Sequence, residues 1–512
     1  MPMGSVEPFF FVKIDDGLYG IVHILPVHEI GAWRATIKTE NGVCFWLPTN
    51  NEVTKMSAVV KPQAQSTAVT STLVEWALSR DTARLPADVR EAARRCILDW
   101  MAVALAGAGD PLIRILIDAA KDEGGNPLCT LVAQSERVAP LQAALINGTT
   151  SHALDYDDVN TGMNGHPTAA VLPAVLALAE TRGASGSEII AAFVAGYETA
   201  ARVGLLVAPG HYARGYHATC TIGVIAAAAG CARLLRLDAD AAARALGIAA
   251  TQASGLKAQF GTQCKPFHAG VAAQNGLRAA LLAARGMESR TDLLECRGGF
   301  AATLSPDFRP DVALADPQRF FIRENLFKYH AACYGTHSAI ECARKLRADH
   351  GLVPDAIRRA VVRVEHGADT MCNIHNPRTG LEAKFSLRFT TAAALLGRDT
   401  SNPAAYSEAN CAEPALVAMR DKTTVDLVQS GWPRHSLKAE VIVETSDGRR
   451  LDAAYDAGIP ETDLRAQGDR LGAKFDKLAG GVLSVARVKM LKGLLERLES
   501  VSAKELMAAC GC

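Results

Sequence analysis

Five side chains that can exchange protons or carry charge lie in one short stretch of the sequence. They are His152, Asp155, Asp157, Asp158 and His166, and they span fifteen residues. An apolar run at 141–146 precedes them, and an alanine-rich helical pattern at 169–180 follows. Polar groups beside apolar helices are costly to bury unless they hydrogen-bond one another or a ligand. The stretch therefore predicts a functional site.

The spacing of these residues predicts how the two histidines meet. If residues 149–155 continue a helix, His152 and Asp155 lie three positions apart and share one face. Gly162, Gly165 and Pro167 then force the chain to turn before the next helix. We expect this loop to deliver the second histidine toward the end of the first helix.

The acidic residues have two other interpretations. In the first, Asp157 and Asp158 are solvated and Asp155 only caps or orients a turn; this alternative remains open on sequence alone. In the second, the carboxylates bind magnesium, but they lack the i, i+1, i+4 spacing that aims carboxylates at one metal cluster. We therefore predict no metal site.

Two further cationic groups stand at predicted helix starts. His217 heads a helical pattern and is followed by Thr219 and Thr221, so this helix end could hold a carboxylate. Lys265 lies just ahead of the helix predicted from Ala269. For both cations a purely structural role, as a histidine at a helix start or a solvated lysine, is the alternative.

Four motifs, in order along the chain, resemble the MmgE/PrpD family. They are His152-Ala-Leu-Asp155-Tyr-Asp157-Asp158 with His166-Pro167, Tyr216-His217-Ala-Thr, Cys264-Lys265-Pro-Phe-His268-Ala-Gly270, and Lys328-Tyr-His330 with Thr336-His337. The resemblance covers about residues 66–512. This family contains 2-methylcitrate dehydratases, cis-aconitate decarboxylases and iminodisuccinate epimerases, and the motifs do not choose among these activities.

The resemblance implies a set of site residues. Positions that form the active site in the decarboxylases of the family correspond here to Asp155, His166, His217, Lys265 and His337. We expect substrate contacts from His152, Thr161, His268, His330 and Arg388. The family also implies a homodimer.

Several positions depart from the family pattern. Val159 stands where decarboxylases carry a threonine, and Phe389 stands where relatives commonly carry a tyrosine. His330 replaces a common proline and adds an imidazole near His337. The Asp-Lys-Arg segment of 2-methylcitrate dehydratases is not evident near residues 410–435, where Trp432-Pro-Arg-His435 stands instead, which counts against a dehydratase.

The residue types favour chemistry that needs no cofactor. The sequence resembles no nucleotide-binding loop, zinc-ligand spacing or pyridoxal lysine motif, so acids and bases must suffice. Histidines, a lysine and an arginine can neutralise carboxylates and stabilise the charge that develops when a bond beside a carboxylate breaks. We predict a cofactor-independent lyase for a small di- or tricarboxylate, nearest to cis-aconitate decarboxylase. The alternatives are an iminodisuccinate-type epimerase, a 2-methylcitrate dehydratase-like hydro-lyase and a non-catalytic assembly protein.

The elements that must position these residues are mostly helical. From residue 71 onward, apolar residues recur at three- and four-residue intervals, with predicted helices at 73–79, 86–107, 111–123, 140–148, 187–204, 217–235, 239–253 and 269–285. Later, 336–347, 382–396 and 474–498 also read as helices, whereas 360–366 and 439–444 are rich in β-branched residues and precede an Asp447-Gly448 hairpin turn.

These patterns predict a mainly α fold of three parts. Residues 1–65 form a short β-rich appendage with strands predicted at 9–14, 19–25, 33–39 and 43–47, followed by a polar linker at 61–66. Residues 66–327 with 466–512 form a large all-helical domain, and residues 328–465 form a smaller α+β lid, as in the resembled family. The site is expected in the cleft between the last two parts.

Composition limits the remaining classes of protein. Lys plus Arg (54) equals Asp plus Glu (54), so the sequence lacks the basic excess typical of nucleic-acid binding. Thirteen scattered cysteines fit a reducing compartment, with Cys510 and Cys512 as free thiols. The start lacks the basic and apolar regions of a secretory signal, and no apolar run reaches the roughly 18 residues of a membrane span. We expect a cytoplasmic protein without membrane or nucleic-acid partners.

Overall fold

The computed structural model describes residues 68–79, 84–429 and 437–511, apart from the side chain of Thr370, and the backbone of four short strands before residue 47. The chain divides into two compact units, Met1–Gln65 and Ser66–Cys512. The predicted linker at 61–66, the segment Trp432 to His435 and Cys512 lie outside the described residues.

In the first unit, the four described strands form two antiparallel pairs. β1 (Phe10–Asp15) pairs with β2 (Leu18–Val22), and β3 (Thr36–Lys38) pairs with β4 (Cys44–Trp46). Each strand overlaps one of the four predicted at the N-terminus. The remainder of those predicted segments lies outside the described residues.

Helices dominate the second unit, which confirms the prediction of a mainly α protein. The helices are α1 (Val69–Ser79), α2 (Ala87–Gly107), α3 (Pro111–Glu123), α4 (Pro140–His152), α5 (Pro167–Arg182), α6 (Gly186–Val207), α7 (Gly210–Ala213), α8 (Ala218–Thr221), α9 (Gly223–Leu234), α10 (Ala239–Ala250), α11 (Cys264–Ala283), α12 (Phe300–Leu304), α13 (Pro310–Ala313), α14 (His337–His350), α15 (Asp369–Cys372), α16 (Gly380–Lys384), α17 (Leu387–Leu395), α18 (Glu408–Ala412), α19 (Pro414–Asp421), α20 (Leu464–Gly480), α21 (Val485–Glu496) and α22 (Ala503–Cys510). A short hairpin of β5 (Cys129–Thr130) and β6 (Arg137–Val138) lies between α3 and α4.

Small residues bring α4 and α11 into close contact, and this crossing positions the site. A Cβ placed on Gly148 would lie 2.8 Å from the Cα of Gly270. A Cβ on Gly270 would lie 2.1 Å from the carbonyl oxygen of Leu145 and 2.3 Å from Thr149 Oγ1. Only glycine fits at this distance, and the crossing brings the end of α4 to the start of α11.

We expect Gly270→Ala to lower the free energy of unfolding by about 1–3 kcal/mol, since the added methyl group must push the two helices apart. Thermal unfolding measures the change. Gly480→Ala is the matched control, because a Cβ there meets nothing within 4 Å on helix α20. Equal melting temperatures for the two variants would contradict the proposed close packing.

A four-stranded sheet lies in the later part of the second unit, in the order β10–β9–β7–β8. β7 (Ile357–Glu365) pairs in parallel with β8 (Thr423–Val428) and antiparallel with β9 (Lys438–Thr445), which turns into β10 (Arg450–Asp456). The two predicted strands and the hairpin turn are confirmed. The sheet buries one face under α14 and α17, and its hydrophobic core is separate from that of the preceding helices.

The predicted helix at 217–235 is divided into α8 and α9 at Ile222, and two further predicted helices are broken at a serine. Residues 382–396 form α16 and α17, separated at Phe385 and Ser386, where the Ser386 side chain caps α17. Residues 474–498 belong to α20 and α21, separated where Ser484 caps α21. In both cases a serine hydroxyl accepts a backbone N–H and begins a new helix, a local signal that apolar periodicity does not carry.

Within the described residues, one helix, α6, is long and apolar enough to cross a membrane, and 94% of its apolar window is buried inside the protein. Such burial is typical of a core helix. The α2–α3 pair passes the same test only if it is counted as a single span with an 87° bend. The described cysteines, Cys510 among them, are free thiols, and most of them are buried.

Candidate active site

Asp155 lies in a turn, not on the helix that the sequence predicts. Helix α4 ends at His152, and the backbone N–H of Asp155 donates to the His152 carbonyl (3.0 Å). Asp155 adopts a left-handed conformation with φ of 51°, which Asp and Asn tolerate better than other side chains. The predicted helical face shared by His152 and Asp155 is therefore wrong, and the turn aims the carboxylate across to α11.

Two ammonium groups share one oxygen of Asp155. Lys265 Nζ lies 2.5 Å and Lys328 Nζ lies 3.0 Å from Asp155 Oδ1. Burial alone would raise the pKa of this carboxyl, but the two lysines outweigh it and hold the pKa well below its usual range. Lys265 lies in the first turn of α11, which begins at Cys264 and not at the predicted Ala269.

Asp157 joins the two histidines of the first motif. His152 Nδ1 lies 2.8 Å from Asp157 Oδ1, and His166 Nδ1 lies 3.1 Å from Asp157 Oδ2 and 2.9 Å from the Asp158 carbonyl. With both Nδ1 atoms engaged by acceptors, each ring has its Nε2 left for the site. His166 Nε2 lies 3.8 Å from Asp155 Oδ1.

The alternative of solvated carboxylates is wrong, since Asp157 and Asp158 are each only 1% exposed. Burial opposes ionisation of Asp157, but the neighbouring histidines outweigh it and keep its pKa well below the usual range. Burial also lowers the pKa of His152 to about 4 despite Asp157, so this imidazole is neutral near pH 7.

His217 and His268 form a second imidazole pair beside the first. Their Nδ1 atoms lie 3.0 Å apart, so one donates to the other, and His217 stands at the start of the short helix α8, as predicted. The pKa of both histidines is lowered mainly by burial and also by the charge of Lys265. The His152 and His217 rings stack with centroids 6.2 Å apart.

The threonines predicted to assist His217 have other partners. Thr219 Oγ1 accepts from the backbone N–H of His166 (3.2 Å), and Thr221 Oγ1 lies 2.7 Å from His211 Nε2. These contacts tie the loop of His166 to α8. The Thr219 hydroxyl therefore supports the loop of His166, whereas the Thr221 hydroxyl contacts a histidine outside the cluster.

Sequence reasoning overlooked several residues that complete the cluster. They are Lys328, Lys384, Lys474, Phe260 and Phe385. Lys265 Nζ lies 5.5 Å from the ring centroid of Phe260 and 5.2 Å from that of Phe385, and the two rings form an apolar wall at the ammonium group. The three lysines are each at most 6% exposed. Lys328 is the first residue of one of the four motifs. A lysine beside an apolar run was the sequence signal that could have identified it as a site residue.

His337 and His330 contact each other and residues that do not belong to this cluster. His337 Nε2 contacts the Ala332 carbonyl (3.3 Å), and its ring lies 5.0 Å from that of His330 and 4.7 Å from that of Tyr334. His330 contacts Glu341 (3.1 Å) and Thr400 (2.8 Å). His337 lines a cleft together with Tyr329, Tyr334, Glu341, Tyr455 and Arg470.

Three other residues singled out in the sequence also point elsewhere. Thr161 lies in the turn that Asn160 and Gly165 close with backbone hydrogen bonds. Arg388 Nη1 donates to Asn373 Oδ1 (2.5 Å). Phe389 is buried in the hydrophobic core against Tyr406, with ring centroids 6.3 Å apart.

Four of the clustered residues have the spacing of a metal site. In the described part of the chain, ligand atoms of His152, Asp155, Asp157 and His166 lie within 4.8 Å of one another. However, two ammonium groups already engage Asp155, and the two Nδ1 atoms already engage Asp157. A divalent cation would have to lie beside Lys265 and Lys328, so the donor set does not fit one.

The buried Asp158 carboxyl predicts a pH effect on stability. Burial raises its pKa to about 8, Thr168 Oγ1 donates to it (2.5 Å), and the nearby Asp99 and Asp157 disfavour its ionisation, while Cys96 lies beside it. The pKa of Asp158 is higher in the folded than in the unfolded protein, so its neutral carboxyl stabilises the folded state. This contribution is complete below the unfolded pKa and is lost as pH rises through 8. Relative to Asp158→Asn, the wild type should lose on the order of 2 kcal/mol between pH 6 and pH 9.

Thermal unfolding of both proteins at each pH measures this difference. The asparagine variant is the matched reference because it keeps the shape of the side chain and cannot ionise. It also cancels the titration of the histidines and of Lys384, which both proteins share. A pH dependence identical in the two proteins would contradict a neutral Asp158.

The chain matches two family models over most of its length. Residues 71–313 match the MmgE/PrpD N-terminal domain, and residues 330–500 match the MmgE/PrpD C-terminal domain. A cis-aconitate decarboxylase-like protein of Aspergillus oryzae is 29% identical over 86% of this chain and 96% of its own length. Cis-aconitate decarboxylases of Aspergillus terreus (28%; 87% and 97%) and Homo sapiens (28%; 81% and 88%) are also similar.

The fold and the similar proteins identify an enzyme of the lyase class. The chain belongs to the MmgE/PrpD family. The relatives are decarboxylases, which confirms the sequence-based prediction of a lyase nearest to this kind.

Proposed function

We propose that this protein decarboxylates cis-aconitate or a closely related small polycarboxylate, without a cofactor. The observation that carries the proposal is Asp155 Oδ1 held between the ammonium groups of Lys265 and Lys328, beside four imidazoles. Two polar atoms of this cluster, His152 Nε2 and Asp155 Oδ2, are buried without a hydrogen-bond partner. Buried polar atoms of this kind are expected where a ligand completes the site.

The charges of the cluster favour an anionic substrate. The ammonium groups of Lys265, Lys328 and Lys384 face two ionised carboxylates, Asp155 and Asp157, while the buried histidines with lowered pKa contribute no charge. The site therefore has an excess of positive charge in a region of low dielectric constant. The attraction between these charges and a substrate carboxylate is strongest where water is excluded from the site. We assign carboxylate binding to Lys265, with His217 beside it.

The proton chemistry is assigned to His166. Loss of carbon dioxide breaks a carbon–carbon bond and leaves its electron pair on the substrate, where an adjacent carboxylate or double bond spreads the charge. A proton then restores the neutral carbon, so one proton is consumed for each carbon dioxide released. His166 has its Nδ1 fixed by Asp157 and the Asp158 carbonyl and its Nε2 beside Asp155, which suits it to deliver that proton.

The family resemblance implies that His337 is an active-site residue, which makes it a second candidate for this proton transfer. Its contacts are with Ala332, His330 and Tyr334 and not with the imidazoles around Lys265. We therefore assign the transfer to His166 alone and propose that His337 orders the segment that carries Lys328. His330, Thr161 and Arg388 remain proposed substrate contacts.

His166→Ala is expected to lower kcat by about 100-fold or more while the melting temperature changes little, because the group that donates the proton is lost. Steady-state release of carbon dioxide from cis-aconitate measures the effect. His350→Ala, at the exposed end of α14, is the matched control and should behave as wild type. A His166→Ala variant with near-normal kcat would show that another group donates the proton.

The assay that tests the proposed function uses three substrates side by side. Purified protein is incubated with cis-aconitate, 2-methylcitrate and iminodisuccinate, and carbon dioxide, alkene absorbance and optical rotation are followed. Release of carbon dioxide from cis-aconitate supports the proposal, and alkene formation from 2-methylcitrate would indicate a hydro-lyase instead. Inactivity on all three, with no binding of any di- or tricarboxylate, would leave the non-catalytic alternative.

An epimerase of the iminodisuccinate type is the second candidate. It is favoured by Val159 and Phe389, which lack the hydroxyl groups of the family pattern. Val159 instead pairs its backbone with Leu326 (2.8 Å). Racemisation of iminodisuccinate without release of carbon dioxide from cis-aconitate would select this candidate.

We also propose the domain division inferred from the sequence, with residues 66–327 and 466–512 as the helical domain and 328–465 as an α+β lid. A hydrophobic core drawn entirely from residues between Cys333 and Ala453 supports it. The site then lies where the two meet, since Lys265 comes from the helical part and Lys328 and Lys384 come from the other. A β-rich appendage at 1–65, a homodimer and a cytoplasmic location complete the proposal.

A further inference from the structure

Three buried lysines bind three consecutive carbonyl groups at the end of α4. Lys384 Nζ donates to the Leu154 carbonyl (2.7 Å), Lys328 Nζ to that of Asp155 (2.6 Å) and Lys474 Nζ to that of Tyr156 (2.8 Å). We call these three side chains the lysine clasp. They come from α16, from the segment before α14 and from α20, so elements far apart in sequence meet on one turn.

Lys474 is the member of the clasp that also contacts a second carbonyl group and the helix α2. Its Nζ also donates to the Lys328 carbonyl (2.9 Å), pairs with Asp99 on α2 (2.6 Å) and lies 4.0 Å from the Tyr156 ring centroid. Lys474 thus contacts the backbone on both sides of the Asp155–Lys328 ion pair. A buried ammonium group with this many acceptors fixes the backbone that it binds.

We propose that Lys474 is a positioning residue of the active site: it holds the Tyr156 and Lys328 carbonyls so that Asp155 stays in its left-handed conformation, aimed at Lys265. Lys384 performs the same task at Leu154. Asp99 has a different role, since it balances the charge of Lys474 inside the helical core. The inference rests on the proposed lyase function, and the two can fail separately.

The competing explanation is that Lys474 serves only as the counter-ion of Asp99. The two explanations differ in the double variant Lys474→Met with Asp99→Asn. That variant removes both charges, so no unpaired ion remains buried, but it leaves the Tyr156 and Lys328 carbonyls without their donor. A counter-ion role predicts recovery of activity in the double variant, whereas a positioning role predicts none.

The first measurement is kcat/KM for cis-aconitate in Lys474→Met and in the double variant, at a temperature well below both melting points. We expect both to remain at least about tenfold below wild type, because small displacements of catalytic groups are costly. Lys477→Met with Asp399→Asn, an exposed ion pair whose lysine lies on the same helix α20, is the matched control and should match wild type. Recovery of kcat/KM to the wild-type value in the double variant would overturn the proposal.

The second measurement does not depend on activity. Hydrogen–deuterium exchange of residues 153–160 should be faster in the double variant than in wild type and in the control pair, since the turn has lost its donor. Unchanged exchange in these residues would overturn the proposal. If the wild type proves inactive on every carboxylate tested, the proposed function fails, and exchange alone decides whether Lys474 holds the turn.

Discussion

Lys265→Ala should reduce kcat/KM for cis-aconitate by about a thousandfold, comparable with the loss of a preorganised donor in other enzymes. Lys265 Nζ lies 2.5 Å from Asp155 and faces the apolar wall of Phe260 and Phe385. Without this ammonium group, a substrate carboxylate would meet one cation fewer in a buried site. The pKa of Asp155 would also rise, because burial would be opposed by fewer positive charges.

The fold should survive this substitution, since alanine is favourable in the first turn of α11. Carbon dioxide release measures the kinetic effect, and circular dichroism with thermal unfolding checks the fold. Lys489→Ala, an exposed lysine on α21, serves as the matched control. If Lys265→Ala kept kcat/KM within about tenfold of wild type, its assignment as the carboxylate-binding cation would be wrong.

The second large effect is expected from Asp155→Asn, which should lower kcat by about 100- to 1,000-fold with little change in KM. Asparagine has the same shape and tolerates the left-handed conformation at φ of 51°. It cannot hold Lys265, Lys328 and the Nε2 of His166 around one negative charge. The cations would still attract the substrate, but the geometry for the chemical step would be lost.

Steady-state kinetics separates these two parameters. Asp118→Asn, an exposed carboxylate on α3 that pairs with Arg114, is the matched control. Asp155→Ala should be less stable than Asp155→Asn by about 1 kcal/mol, since a left-handed backbone is less favourable for alanine. An Asp155→Asn variant with raised KM and unchanged kcat would instead assign Asp155 to substrate binding.

The sequence predicted much of the secondary structure because apolar periodicity is local. Helix α3 begins at Pro111 and ends at Glu123 as predicted, capped by Asp110. Local patterns fail where a single polar group decides the boundary, as at Ser386 and Ser484. The end of α4 is a similar case, because Asp155 leaves the helix to reach cations that lie 110 and 173 positions away in sequence.

The motifs of the sequence also mark most of the residues that form the cluster. His152, Asp155, His166, His217, Lys265 and His268 all belong to these motifs and do meet. The motifs are informative because buried charged residues are rare beside apolar helices. His337 is also a buried titratable residue of a motif, and it shares that motif with Lys328. The motif does not reveal that His337 has other contacts than the cluster around Lys265.

The sequence by itself therefore indicated the family, through the resemblance of its motifs, the predominance of helices and a group of titratable residues. Tertiary structure decided which charges balance one another. Lys328, Lys384 and Lys474 converge on one turn from three distant elements, and Asp158 is neutral while Asp157 is ionised, although they are adjacent. The physical reason is that burial and charge pairing are properties of three-dimensional neighbours, to which sequence separation gives no guide.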